Sequence, residues 1–135
     1  MEKKHSILVI DDEKANIITL RHMLGNDYKL YAAKTGFEGL ALAKKHVPDL
    51  ILLDIMMPVM NGYEVYMILK NSEKTQNIPV IFISGLTDED NVEKGMALGV
   101  VDYITKPFKS YVVKLRVENQ LKLKAQSEQT AEEGN

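Results

Sequence analysis

The chain has 135 residues, 45% of them hydrophobic and 27% charged, which is the composition of one ordinary globular domain rather than of a disordered, collagenous or low-complexity chain. It contains no cysteine, so disulfide frameworks, thiolate nucleophiles and thiolate metal sites are excluded. Seventeen basic against nineteen acidic residues leave a net charge of -2, without the positive excess that a nucleic-acid or polybasic membrane surface requires.

In chain order, the polar start through Ser6 leads into Ile7-Leu8-Val9-Ile10, too short for a signal peptide or a membrane span. A cytoplasmic domain is the expectation. That run and two others, Leu50-Ile51-Leu52-Leu53 and Val80-Ile81-Phe82-Ile83, read as strands buried on both faces, the habit of parallel sheets. The run 28–33 alternates in part and reads as a strand near one edge. The run 100–105 mixes polar and apolar residues and reads as the other edge. Between the strands lie helical stretches. Residues 13–24 place Ile17, Leu20 and Leu24 on one face, with Gly25-Asn26-Asp27 as the stop. Thr35 with Glu38 predicts a capping box for a second helix through about His46, locally weakened by Gly36 and Gly39. Further helices are expected over 62–69, over 87–98 with Gly99 as closure, and from Ser110 to about Ala125. Residues 126–135 carry no large apolar side chain and are expected as a frayed end, a tail, or the start of a linker to an effector domain. Five β-α units in succession predict right-handed crossovers and a parallel sheet covered by helices on both sides.

In such sheets the chemistry gathers at the carboxyl ends of the strands. The first strand ends in Asp11-Asp12, the third in Asp54, the fourth in Ser84 and the fifth in Lys106. Three carboxylates on one rim repel one another unless a cation lies between them. An all-oxygen donor set points to a hard divalent ion, magnesium first. A metal, an ammonium and a hydroxyl are together what phosphoryl oxygens require. A carboxylate can itself be the acceptor, and Asp54, at the end of the most buried run, is the best candidate, with Asp11 and Asp12 holding the metal.

Those residues, with Leu53-Asp54-Ile55-Met56-Met57-Pro58, Asn61-Gly62, Ile83-Ser84-Gly85 and Asp102-Tyr103-Ile104-Thr105-Lys106-Pro107-Phe108, resemble the receiver domain of two-component response regulators over residues 5–122. The resemblance implies a flavodoxin-like (βα)5 three-layer sandwich with strand order 2-1-3-4-5 and a receiver domain over 1–125. It implies that Asp54 accepts a phosphoryl group from a phosphohistidine on a sensor histidine kinase or phosphotransfer protein. Asp12 looks like the direct Mg2+ ligand, Asp11 like one acting largely through water, and the backbone carbonyl of Met56 like a further ligand. Ser84 resembles the switch hydroxyl, Lys106 the cation that pairs with Asp54 and then with phosphate, and Tyr103 the aromatic switch. The Lys106–Pro107 bond is cis in such domains. The readout would be a change in the face built from the fourth helix, fifth strand and fifth helix, which meets an effector or, in some relatives, a second copy. Met56 and Leu86 stand where the family tunes phosphoryl lifetime; neither can orient a water, so slow self-dephosphorylation is expected. Such a domain is a regulator that catalyses only its own phosphoryl uptake and loss. It needs no nucleic acid and no membrane.

Other classes fit less well. An aspartyl-phosphate phosphatase or phosphotransferase on a similar sheet usually wants a second acid two residues after the nucleophile, where Met56 stands. A flavin carrier needs a hydroxyl- and glycine-rich loop after the first strand, where Asp11-Asp12-Glu13 would repel the flavin phosphate. A phosphorylation-independent pseudo-receiver would have lost site residues, yet every matched one is present. His5, His22 and His46 read as solvated surface groups. Met56, Met57 and Met60 read as loop and core filling.

Overall fold

The computed structural model describes residues 4–85 and 89–133. In chain order the elements are β1 (Ser6–Ile10), α1 (Lys14–Leu24), β2 (Lys29–Ala33), α2 (Gly36–His46), β3 (Leu50–Asp54), α3 (Gly62–Lys70), β4 (Val80–Ser84), α4 (Glu89–Leu98), β5 (Asp102–Thr105) and α5 (Ser110–Glu133). The strands form one parallel sheet in the order β2-β1-β3-β4-β5. This is the flavodoxin-like (βα)5 sandwich, with the two mixed-polarity runs at the edges and the three apolar runs in the middle.

Alternation along the strands divides the interior in two. Ile7, Val9, Leu50, Leu52, Ile81 and Ile83 pack with Ile17, Leu20 and Leu24 of α1 and with Val113, Val117 and Leu121 of α5. Leu8, Ile10, Ile51, Leu53, Val80 and Phe82 pack with Ala43 of α2 and with Val65, Tyr66 and Leu69 of α3. Every residue of β3 and β4 is buried, which is why those strands show no polar alternation in the sequence.

The helix ends follow their side chains. Thr35 Oγ1 accepts the Glu38 amide at 3.1 Å, the Thr35 half of the expected capping box. Asn61 caps α3 in the same way, its Oδ1 accepting the Glu64 amide at 3.0 Å. Gly99 closes α4 with φ +103, a left-handed conformation that a glycine adopts without strain. Gly36 and Gly39 are buried, and the reason they sit inside α2 is packing. A Cβ on Gly39 would lie 2.5 Å from Ile10 Cδ1, and one on Gly36 would lie 2.8 Å from Met60 Sδ.

Several boundaries differ from the sequence reading. Helix α5 runs to Glu133 rather than ending near Ala125, because Ala, Gln and Glu are good helix formers and Lys124 meets Glu128 at 3.7 Å one turn on. The regular ladder of β5 begins at Asp102, although Val101 already donates its amide to the Val80 carbonyl at 3.0 Å. Glu13 caps α1 instead of opening it, β2 starts one residue later than expected, and α3 takes in Lys70. The expected start of the fourth helix at Thr87 lies outside the described residues. His46 is half-buried rather than fully solvated, and its ring stacks on Tyr31 at 4.1 Å between centroids. Among the three clustered methionines, Met57 is buried, Met60 packs on the core, and Met56 projects outward at 62% exposure. No helix among the described residues is long and apolar enough to cross a membrane.

Candidate functional site

The sheet register brings the strand ends together. Ile10 of β1 pairs with Leu53 of β3, so Asp11 and Asp54, each next in its strand, lie side by side. Asp54 of β3 pairs with Ile83 of β4, and Ser84 of β4 pairs with Thr105 of β5, immediately before Lys106. The Lys106 amide donates to the Ser84 carbonyl at 2.8 Å, carrying the ladder one residue beyond β5. The Lys106–Pro107 peptide bond is cis, as the resemblance implies.

Asp11 and Asp54 are both buried, and carboxylate oxygens of Asp11, Asp12 and Asp54 lie within 4.8 Å of one another. The three carboxylates differ in what already holds them. Asp11 is committed: its Oδ1 accepts the Glu13 amide at 2.9 Å, and its Oδ2 accepts Asn16 Nδ2 at 3.1 Å with Lys106 Nζ at 3.8 Å. Asp54 Oδ1 accepts the Met56 amide at 3.2 Å, and its Oδ2 faces Lys106 Nζ at 3.6 Å. Asp12 Oδ1 is buried and has no hydrogen-bond partner among the described residues. A buried carboxylate oxygen without a donor is costly unless a cation completes it. The donor set is entirely oxygen, and one ammonium cannot balance three carboxylates. The cluster therefore fits a hard divalent cation.

The electrostatics agree. Burial, and then the charge of Asp11, push the Asp54 carboxyl up to about 7, against the opposing pull of Lys106 and the Met56 amide, with Asp12 adding to the rise. Without a cation the carboxylate at this position is a poor nucleophile near neutrality, because much of it carries a proton.

Ser84 Oγ is the second buried polar atom of the rim without a partner among the described residues. Strand alternation puts Ser84 on the face of Phe82 and, across the ladder, of Tyr103, whereas Asp54 follows Leu50 and Leu52 on the opposite face. Tyr103 is half-buried, its ring 6.1 Å from that of Phe82. Burial raises the Tyr103 hydroxyl above its ordinary range, with the Met96 and Gly95 amides pulling the other way. The rim thus gathers Asp11, Asp12, Asp54 and Lys106, with Ser84 beside them and Tyr103 one layer away. Leu86 lies outside the described residues.

Two contributors escaped the sequence reading. Asn16 holds Asp11 in place from the first turn of α1, and its only signal is an amide five residues after the first aspartate. Gly62 stands where a Cβ would lie 2.5 Å from the Asp54 carbonyl oxygen and 2.7 Å from Ile55 Cα, so it lets α3 approach the end of β3. Its amide binds the Ile55 carbonyl at 2.8 Å, which ties the loop after Asp54 closed.

Comparison with known proteins adds the following. Residues 7–118 match the family model described as the response regulator receiver domain. The chain is 39% identical over 119 residues to the "Probable cyclic di-GMP phosphodiesterase" of Vibrio cholerae, covering 88% of this chain and 27% of that protein. It is 37% identical over 121 residues to the response regulator PleD of Caulobacter vibrioides, covering 87% of this chain and 26% of that one. The chain spans about a quarter of the length of these two relatives. Among solved structures, a response regulator from Chloroflexus aurantiacus superposes with a TM-score of 0.84 at 28% identity, covering 88% of this chain and 98% of that one.

Proposed function

The chain belongs to the response regulator receiver domain family, and we propose that it accepts a phosphoryl group on Asp54 from a phosphohistidine of a sensor histidine kinase or phosphotransfer protein. Domains of this family are regulators rather than enzymes that turn over an external substrate. The observation that carries the reading is the trio of carboxylates faced by the Lys106 ammonium, with one carboxylate oxygen and the Ser84 hydroxyl both lacking a partner among the described residues.

Asp12 would hold the metal directly, Asp11 largely through water, with Asp54 and the Met56 carbonyl completing the protein ligands. Magnesium suits the all-oxygen set, and when bound it would supply positive charge that lowers the pKa of the acceptor and screens the incoming anion. The chain's own residues do the rest. An Asp54 carboxylate oxygen attacks phosphorus and the P–N bond of the phosphohistidine breaks. The electron pair stays on the imidazole, which takes up a proton, and an aspartyl phosphate remains. The Lys106 ammonium then meets the transferred oxygens instead of the bare carboxylate. The Ser84 hydroxyl donates to one of them. Drawing Ser84 toward Asp54 frees space on the Phe82–Tyr103 face, where Tyr103 moves inward, so that the α4-β5-α5 surface changes for its effector or for a second copy. Helix α5 past residue 125 would serve as a tail or as the start of a linker to such an effector.

Incubation of the protein with acetyl phosphate or phosphoramidate and magnesium, followed by intact mass and peptide mapping, tests this. One phosphoryl group should appear on Asp54 and should be absent from Asp54→Asn. A chain that gains none, or gains it elsewhere, overturns the reading. Met56, exposed beside the acceptor, offers no polar group to position an attacking water. The purified phosphoprotein should therefore outlast receivers with polar residues there, and decay within seconds would contradict that.

A further inference from the structure

Four aromatic rings meet beneath α4. Phe82, wholly buried at the middle of β4, is the hub. Tyr63 meets it edge-on at 5.5 Å, Tyr66 at 5.7 Å and Tyr103 at 6.1 Å. Tyr63 and Tyr66 come from α3, whereas Tyr103 comes from β5. Helix α4 comes down onto this cluster through Gly95, where a Cβ would collide with the Tyr103 hydroxyl and lie 2.8 Å from the Phe82 ring. Lys94, the residue before it, holds its ammonium 4.5 Å from the centre of the Tyr63 ring.

The far end of α4 is tied as well. The Tyr66 hydroxyl donates to the Leu98 carbonyl at 3.3 Å. Leu98 is the last residue of α4, and a carbonyl there has no partner within its own helix. The next residue, Gly99, turns the chain back, and a Cβ on it would sit 3.2 Å from that same hydroxyl. Tyr66 is only 3% exposed, so its hydroxyl has little recourse to water if the bond is broken.

We propose that Tyr66 is a positioning residue of the phosphorylation switch: its hydroxyl pins the C-terminal end of α4 in the arrangement that pairs Lys106 with Asp54, so that α3 anchors that helix alongside Tyr103. This rests on Asp54 being the phosphoryl acceptor. In the arrangement described, Ser84 Oγ has no partner among the described residues and Lys106 Nζ is paired with Asp54 Oδ2 at 3.6 Å. Phe82 stands two residues before Ser84 on the same face of the sheet and in register with Tyr103. Movement of Ser84 toward a phosphoryl group therefore disturbs the hub on which α4 rests. For α4 to shift, the Leu98 carbonyl must leave Tyr66. The bond weights the equilibrium toward the arrangement that pairs Lys106 with Asp54, and by linkage it lowers the affinity for whatever favours the other arrangement.

Tyr66→Phe keeps the ring and deletes only the hydroxyl. Affinity for beryllofluoride with magnesium, a phosphoryl analogue, should tighten about 2- to 10-fold, the range of one neutral hydrogen bond. Tyr28→Phe, a half-buried tyrosine in the opposite layer, should leave that affinity unchanged while confirming that hydroxyl loss in general does not alter it. A merely structural Tyr66 would lower the melting temperature and leave the beryllofluoride affinity where it was. Unchanged or weakened affinity in Tyr66→Phe overturns the proposal. A second reading uses the wild-type protein: amide exchange at Gly99 and Val100 should accelerate on adding beryllofluoride and magnesium, and unaltered exchange there overturns it equally. Failure of the wild-type protein to bind the analogue at all would count against Asp54 as acceptor; binding that ignores Tyr66 counts against this inference alone.

Discussion

At the scale of single residues, the surroundings of Asp54 make its charged form costly. A carboxyl whose folded value is raised to about 7 from 3.8 binds more protons folded than unfolded between those limits. Folding stability of the metal-free protein should therefore fall as pH rises from about 4 to about 7, and stay low above it. Asp54→Asn removes the group, so the variant should gain on the wild type in urea midpoint at pH 8 in EDTA and lose that advantage at pH 4. Equal midpoints at both pH values would refute the linkage. Added magnesium should narrow the gap at pH 8, since a ligand that binds only the folded chain stabilises it. Much of this site was readable in the sequence, because a charged or hydroxyl residue closing each apolar run has one place to go in a parallel sheet. What could not be read was which oxygen of which carboxylate is already engaged. Asp11 and Asp12 look alike in a string of letters, yet one carries two donors and an ammonium while the other keeps an oxygen with no partner among the described residues. The Tyr31–His46 stack and the rings around Phe82 were hidden for the same reason, since each joins residues far apart in the chain.

At the scale of elements, the caps and close approaches carry the local energetics. Asn61→Ala should cost about 1 kcal/mol by freeing the Glu64 amide at the start of α3, and Thr35→Ala a similar amount at α2, both measurable by urea unfolding. Gly62→Ala should cost more, about 1–3 kcal/mol, because the atoms in its way are backbone and cannot rotate aside. It should also slow phosphoryl uptake, since those atoms belong to Asp54 and Ile55. Element identity was legible for every helix and strand from apolar period and length, while the ends were less so. The stop of α5 shows why. Residues 122–128 bury little, and their helicity rests on propensity and on ties such as Lys124 to Asp49, 3.0 Å apart. Asp49 is also the acceptor of the Ser6 amide at 2.8 Å. Burial would raise its carboxyl, yet the Ser6 amide and the Lys124 ammonium together hold it below its ordinary range. Lys124→Ala should speed amide exchange over 122–133 while changing global stability by less than about 1 kcal/mol, as partly exposed ion pairs do.

At the scale of the whole molecule, the sheet separates two interiors of different character. The α1–α5 side is aliphatic at its heart, built on Leu20, Leu52, Ile81, Val113 and Val117. The α2–α3–α4 side holds Phe82 and its tyrosines. The two-sided covering followed from the five β-α units and the strand order from the family resemblance, but this contrast followed from neither, because only the folded register tells which of two adjacent apolar residues faces which way. Destabilisation by Leu20→Ala and Leu69→Ala should add within about 0.5 kcal/mol in the double variant, as separated sites do, whereas Phe82→Leu and Tyr66→Phe should not add.

A wall of five strands between two chambers also has a practical meaning. The two clusters share no residue, so trading one ring for another beneath α4 leaves the aliphatic packing under α1 and α5 in place. Each chamber can thus be probed by substitution while the other serves as an internal reference.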